Sequence, residues 1–243
     1  MRIIKLNATD STNAYLKNVM LSEVLDDFTI VIAKAQLKGR GQMGASWQSE
    51  SGKNLTFSVL KKFEALPAAA QFLLNIAVSK SVYTTLKQLQ IPDLSIKWPN
   101  DILSGNAKIC GILIENILLD QNIQSAIIGI GLNVNQLVFP GLSKATSIKL
   151  VTGRTFAIEE VMQLVVKEMK TVFREYEGKS IAQIKEDYEM HLFRKDRPST
   201  FKDGKQSLFM GFIRGISDNG KLQIEIEDQI MREFDFKEVQ LLY

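Results

Sequence analysis

One cysteine and one histidine stand in a chain of 243 residues. A lone Cys110 excludes an intramolecular disulfide framework and fits a reducing compartment. A lone His191 removes the basis for a histidine-rich zinc site or a Ser-His-Asp relay, and it is expected as a core or surface residue of a helix before Leu192 and Phe193. No excess of one charge is present either. Thirty Lys and Arg against 27 Asp and Glu leave a net charge of +3, too balanced for a dedicated nucleic-acid binder. Long apolar runs are also missing. The most apolar stretch, Ser125 to Leu132, falls far short of the roughly 20 residues that span a bilayer. The opening residues, Met1 to Asp10, hold no apolar core of signal-peptide length. A cytoplasmic protein with no membrane partner is the expectation.

What is present is ordinary for a globular domain: 45% hydrophobic and 23% charged residues, which rules out disorder and collagen. The length predicts one domain, or one with a small appendage, and a core of ample size. Residues 28–36 and Leu55–Leu60 read as strands rich in β-branched and apolar residues. Over 68–90, the residues Phe72, Leu73, Ile76, Ala77, Val82, Leu86 and Leu89 fall on one helical face, so this helix covers a sheet. Strands follow at Leu94–Lys97, Lys108–Leu118 and Ile123–Leu132, the last two joined by a turn at Asp120–Asn122. Helices are predicted near 158–176, with Val161, Leu164, Val165, Met169, Val172 and Phe173 inward, and from Ser180, where Gln183 completes a capping box. Polar, turn-rich residues at 192–204 place a boundary near 194–198. The last forty residues then alternate like a small barrel or sandwich.

Five segments could carry chemistry. Gly39-Arg-Gly-Gln-Met-Gly44 matches a dinucleotide fingerprint, but a helix must open at its third glycine to hold a pyrophosphate. Here a strand follows instead, so that reading fails. Exposed amides with Lys34, Lys38 and Arg40 still suit an anion; the plainer alternative is a mobile surface loop. Lys97-Trp-Pro-Asn-Asp101 delivers an amide and a carboxylate beside a lysine, fit for a polar ligand or hydrated magnesium, or else only for a turn around a buried Trp98. Lys108 opens an apolar strand containing Gly111; it is either a charge for a developing oxyanion or a snorkelling edge lysine. Gly129 and Gly131, followed by Asn133, either open a slot for a flat ring or mark a β-bulge. Ser11 and Thr12, before Asn13, either cap a short helix or bind a small polar head group at its N-terminus.

The order of these segments is more telling than any one of them. Asp-Ser-Thr-Asn, then Gln36 with Gly-Arg-Gly-x-x-Gly and Trp47, then Lys-Trp-Pro-Asn-Asp, Lys108-x-x-Gly-Ile-Leu-x-Glu and Gly-x-Gly-x-Asn, closely resembles the biotin–protein ligases over almost the whole chain. The resemblance implies an α+β fold: a mixed-sheet catalytic domain of the class II aminoacyl-tRNA synthetase type, residues 1–194, and an SH3-like barrel, residues 195–243. It implies biotin and MgATP as substrates, biotinyl-5′-AMP as intermediate, and a lysine of a biotin carboxyl carrier protein as acceptor. Ser11, Thr12, Asn13 and Gln36 would then hold the biotin ring. Gly39, Arg40, Gly41 and Gln42 belong to a loop closing over biotin and adenylate, and Trp47 would pack on adenine. Lys108 would contact carboxylate and α-phosphate, with Arg40 as its catalytic partner. Gly111, Gly129 and Gly131 would shape the pocket, and Asn133 would meet the adenine edge. Lys97, Asn100 and Asp101 would flank the phosphates, Asp101 being the candidate for magnesium. Neutral Gln42 and Ala45 replace polar or cationic residues of many relatives, which implies looser adenylate retention. No DNA binding is expected, and a homodimer is a possible assembly. The rival readings are a lipoate or octanoate ligase of the same fold and a non-enzymatic nucleotide- or nucleic-acid-binding module.

Overall fold

The computed structural model describes residues 1–243. Seven strands form one mixed sheet: β1 (Ile3–Thr9), β2 (Ile30–Gln36), β3 (Leu55–Pro67), β4 (Leu94–Lys97), β5 (Asp101–Ser104), β6 (Ala107–Leu119) and β7 (Asn122–Leu132). Their order is β1-β2-β3-β7-β6-β5-β4. Only β1 and β2 run parallel, connected through helix α1 (Thr12–Ser22); every other neighbouring pair is antiparallel. This is the expected α+β arrangement.

Side-chain alternation sorts the two faces. Ile30, Ile32, Val59, Ile128 and Ile130 enter the main core with helices α2 (Gln71–Gln88), α4 (Ile158–Glu177) and α5 (Ile181–Glu189). Their neighbours Val31, Leu60 and Ile127 face the other way, into a small cluster with Leu16 of α1. Thus α1 covers only part of its face. Farther along the same strands, the positions in phase with Leu60 and Ile127 carry Ser58, Thr56, Gly129 and Gly131 instead of apolar bulk. The sheet is therefore sealed on one side and left open, beyond the end of α1, on the other.

The helices follow the sequence expectations closely. The Ser180–Gln183 capping box is present, and α4 buries Val161, Val165, Met169 and Val172 as predicted, together with Met162 and Val166. Three local readings change. Asp101 does not belong to a turn but opens β5, pairing with Lys97 across a tight hairpin. Helix α5 ends at Glu189, so His191 lies beyond it, stacked on Tyr83 with ring centroids 4.2 Å apart. A short helix α3 (Ile148–Thr152), capped by Ser147, follows β7. No helix is long and apolar enough to cross a membrane.

After a backbone link between Ile96 and the 191–193 segment, the chain builds a second, antiparallel sheet. Its strands are β8 (Pro198–Asp203), β9 (Leu208–Ile216), β10 (Leu222–Glu225), β11 (Met231–Phe234) and β12 (Val239–Leu242), in the order β11-β10-β9-β8-β12, with no ladder joining β11 to β12. Phe201, Ile213, Leu222 and Phe234 continue the main core without a break. The second sheet is packed onto the first, and its last strands reach the open side.

Candidate active site

A cavity of about 560 Å³ occupies the open side, within the range usual for small-molecule sites. It gathers Ser11, Thr12, Asn13, Gln36, Arg40, Gly41, Gln42, Trp47, Lys97, Asn100, Asp101, Lys108, Gly111, Gly129 and Gly131, drawn from five separate stretches of sequence. A second cavity of about 370 Å³ adjoins it and holds Asn133; Trp47 and Lys108 line both.

One end is a polar cage. At the start of α1, the Thr12 amide and hydroxyl lie 2.8 and 3.1 Å from Gln36 Oε1. Ser58 Oγ stands 2.7 Å from Thr12 Oγ1 and 2.6 Å from Asn13 Oδ1. Asn13 Nδ2 donates to Glu115 Oε2 at 2.7 Å. Ser11 precedes the helix but does not cap it with its side chain, so its hydroxyl is not spent there. Gly129 lies directly beneath: a Cβ there would sit 2.4 Å from Asn13 Oδ1. Neither Ser58 nor Glu115 was assigned a role from sequence. Their signal was there, as polar residues on alternate positions of apolar strands, opposite or adjacent to Gly129 in register.

The middle is cationic. Lys108 Nζ and Asp101 Oδ1 are 2.7 Å apart. A register shift between β5 and β6 explains the lysine's aim: Ile102 pairs with Cys110 but Leu103 with Lys108, leaving Ile109 extra. Ile109 and Cys110 both enter the core while Lys108 turns to the cavity; bulges redirect side chains in this way. Burial raises the Cys110 thiol far above its usual range, which leaves it inert. Burial lowers the Lys97 ammonium, with Asp101 opposing and Lys108 adding to the shift. Asn100 is less free than expected, since its amide donates to Ile112 O at 2.6 Å. Of the three cations expected around the glycine loop, only Arg40 lines the cavity; Lys38 pairs with Asp10 outside it.

The glycine loop is a short hairpin. Trp47 N donates to Gly39 O, Gly41 N to Ala45 O, and Arg40 bridges Ser46. Its tip, Gln42–Gly44, is a single 3-10 turn, so no helix opens at the third glycine. Gly39 lines neither cavity; a Cβ there would meet Trp47 O at 2.3 Å, so its role is to let the hairpin strands close.

Gly129 and Gly131 sit in unbroken register, so the bulge alternative is excluded. The slot above Gly131 is taken by the chain's own Trp47: a Cβ on Gly131 would lie 2.4 Å from Cε2 of the indole. Lys108 Nζ stands 5.7 Å from the center of that ring. Trp47 Nε1 and Asn133 Oδ1 are buried without a hydrogen-bond partner, although Asn133 Nδ2 is anchored on Thr146 O. Buried polar atoms without partners are rare, and these two lie beside the cavities, where a ligand could reach them.

The C-terminal sheet completes the rim with Phe236, Lys237, Val239 and Gln240, none of which the sequence reading singled out. No local pattern distinguishes them; only the packing of the two sheets brings them here.

Comparison with known proteins bears on this arrangement. Residues 6–133 match the model of the biotin/lipoate A/B protein ligase family. The bifunctional ligase/repressor BirA proteins of Bacillus spizizenii and Bacillus subtilis are each 30% identical over 211 residues, 84% of this chain and 63% of theirs. The chain thus spans somewhat under two thirds of those relatives' length. The biotin–[acetyl-CoA-carboxylase] ligase of Paracoccus denitrificans is 30% identical over 224 residues, 89% of this chain and 91% of that one. The Aquifex aeolicus biotin protein ligase, solved in complex with biotin and ATP, superposes with a TM-score of 0.80 at 28% identity, covering 99% of this chain and 98% of that one. With the matched segment ending at Asn133 and enclosing the polar cage, the hairpin and Lys108, this chain belongs to the biotin/lipoate A/B protein ligase family.

Proposed function

We propose that the chain is a biotin–protein ligase: it activates biotin with MgATP to biotinyl-5′-AMP and passes the biotinyl group to a lysine of a carboxyl carrier protein. The observation that carries this reading is the position of Lys108, which lines both the cavity with the polar cage and the cavity with Asn133. A cage of Ser11, Thr12, Asn13, Gln36 and Ser58 suits a ureido ring, which offers two N–H donors and a carbonyl. The dithiolane of lipoate offers neither, so the polar end favours biotin over the other substrate of the family. At the far side, the free Oδ1 of Asn133 is an acceptor for the exocyclic amine of adenine; guanine would present an oxygen there and be rejected.

In the first step a biotin carboxylate oxygen bonds to the α-phosphorus, the α–β phosphoanhydride bond breaks, and pyrophosphate leaves. Biotin supplies the nucleophile, so the chain needs none, consistent with one histidine and an inert cysteine. Lys108 and Arg40 stabilise charge that builds between the two substrates, and the cage fixes the attacking carboxylate. In the second step the acceptor amine attacks the acyl carbon, AMP leaves, and the amide nitrogen gives up a proton. The hairpin excludes water from the mixed anhydride in between. Asp101 is the one carboxylate lining the larger cavity, and no group of three metal ligands exists. Magnesium would then arrive on the nucleotide, and Asp101, paired here with Lys108, would be the carboxylate to hold it. Residues 1–194 are read as the catalytic domain and 195–243 as an SH3-like barrel, acting in the cytoplasm and without DNA.

Incubation with biotin, α-labelled ATP and magnesium tests the reading. Biotin-dependent labelled adenylate and released pyrophosphate are expected. Adenylate formed with lipoate but not biotin, or with neither, would overturn it.

A further inference from the structure

The hairpin over the cavity is held from outside its own sheet. Its tip residue Met43 lies in the left-handed region at φ 54°, which leaves the Met43 carbonyl accepting from Lys237 Nζ at 3.2 Å. Lys237 belongs to the turn between β11 and β12 and is itself left-handed, at φ 71°. That turn is braced independently of the hairpin. Asp235 N donates to Glu238 Oε2 at 2.7 Å, and Phe236 packs edge-to-face on Trp98 with centroids 6.1 Å apart. Trp98 in turn donates from Nε1 to Gly220 O at 2.9 Å. The support is thus fixed and the hairpin rests on it, joined by one exposed lysine across 194 residues of chain.

We propose that Lys237 is a positioning residue for the ligase reaction: from the C-terminal sheet it latches the Gly39–Trp47 hairpin shut, and so sets how long the acyl-adenylate is retained. The inference rests on the proposed function for its intermediate, but the latch itself is a property of the fold. It assigns the second sheet a part in the first sheet's chemistry. Arg40 and Trp47, the two large hairpin side chains among those that line the cavity, depend on the latch for their placement.

Three variants of the full chain test this: Lys237→Met keeps the stem without the donor, Lys237→Ala removes both, and Lys237→Arg keeps a donor. Retention is read by chasing labelled biotinyl-adenylate with unlabelled biotin and ATP. Hairpin opening is read in the free protein by tryptic cleavage after Arg40. In Lys237→Met and Lys237→Ala, adenylate release and cleavage should both rise about three- to tenfold, the range for losing one ordinary hydrogen bond. The loss should fall on KM for biotin more than on kcat, with Lys237→Arg restoring most of it and thermal midpoints unchanged. Unaltered release and cleavage in both donor-less variants would overturn the latch. So would a rise in KM for ATP with cleavage unchanged, which would make Lys237 a phosphate contact instead. Should the native chain form no adenylate at all, the functional reading fails while cleavage after Arg40 still decides the latch.

Discussion

The two ends of the cavity are built on opposite plans. At the caged end, Thr12, Asn13, Gln36, Ser58 and Glu115 are bonded to one another, and Asn13 is 3% exposed. At the other end, Trp47 Nε1 and Asn133 Oδ1 are buried without partners, and the indole fills the slot over Gly131. The first end is set before any ligand arrives; the second must rearrange or be completed. A preformed site binds with little ordering cost, whereas a site holding unpartnered polar atoms gains most from the ligand that satisfies them. For the proposed reaction, the difference suits an order in which the acid is seated first and the nucleotide closes over it.

Lys108 joins the two ends, so its removal should have the largest effect. Lys108→Ala should slow adenylate formation by about 10²- to 10³-fold, the size seen when a charge-stabilising donor is lost, with circular dichroism unchanged; near-normal single-turnover rates would show that the ends communicate without it. The two ends should then separate cleanly under substitution. Gly129→Ala pushes a methyl against Asn13 and should raise KM for biotin about tenfold, as overpacking by 1–3 kcal/mol implies, while leaving KM for ATP within about twofold. Asn133→Ala should do the reverse, raising KM for ATP about tenfold for a lost buried bond. Steady-state kinetics with each substrate varied would show the contrast, and equal shifts in both constants for either variant would abolish it.

The smallest effect concerns pH. Burial holds the Lys97 ammonium below the usual lysine range. Between its folded value and that range the unfolded chain binds the proton more tightly, so stability should rise with pH while the charge at the phosphate region is lost. The alkaline decline of kcat/KM for ATP should therefore begin early, and Lys97→Arg should move it upward, since guanidinium stays charged. A limb unmoved by Lys97→Arg would separate Lys97 from nucleotide binding.

The legible part of the site was its inventory. Short polar and glycine-rich interruptions of apolar strands, such as Gly129-Ile-Gly131 and Lys97-Trp-Pro-Asn-Asp101, break a periodicity that otherwise serves packing, and a break of that kind shows in a single chain. Glu115 and Ser58 were harder, because one polar residue in a strand reads as exposed until its face is known. Asn100 shows the converse: the motif marks it as a ligand group, whereas the structure ties its side chain to Ile112 O. Nothing in Met190-His-Leu-Phe193 stops a helix locally; the backbone bonds to Ile96 do that from another strand.

By itself the sequence determined the longer helices, most strands and the residue types at the site, because periodicity, caps and turn residues act over a few positions. Only the tertiary structure decided their directions. The one-residue bulge at Ile109 turns Lys108 toward the cavity, and sheet register seats Gly129 under Asn13 and Gly131 under Trp47. The packing of the second sheet carries Phe236 and Lys237 to the rim. These are outcomes of long-range pairing, where a shift of one residue reverses a side chain, and no local pattern encodes that choice.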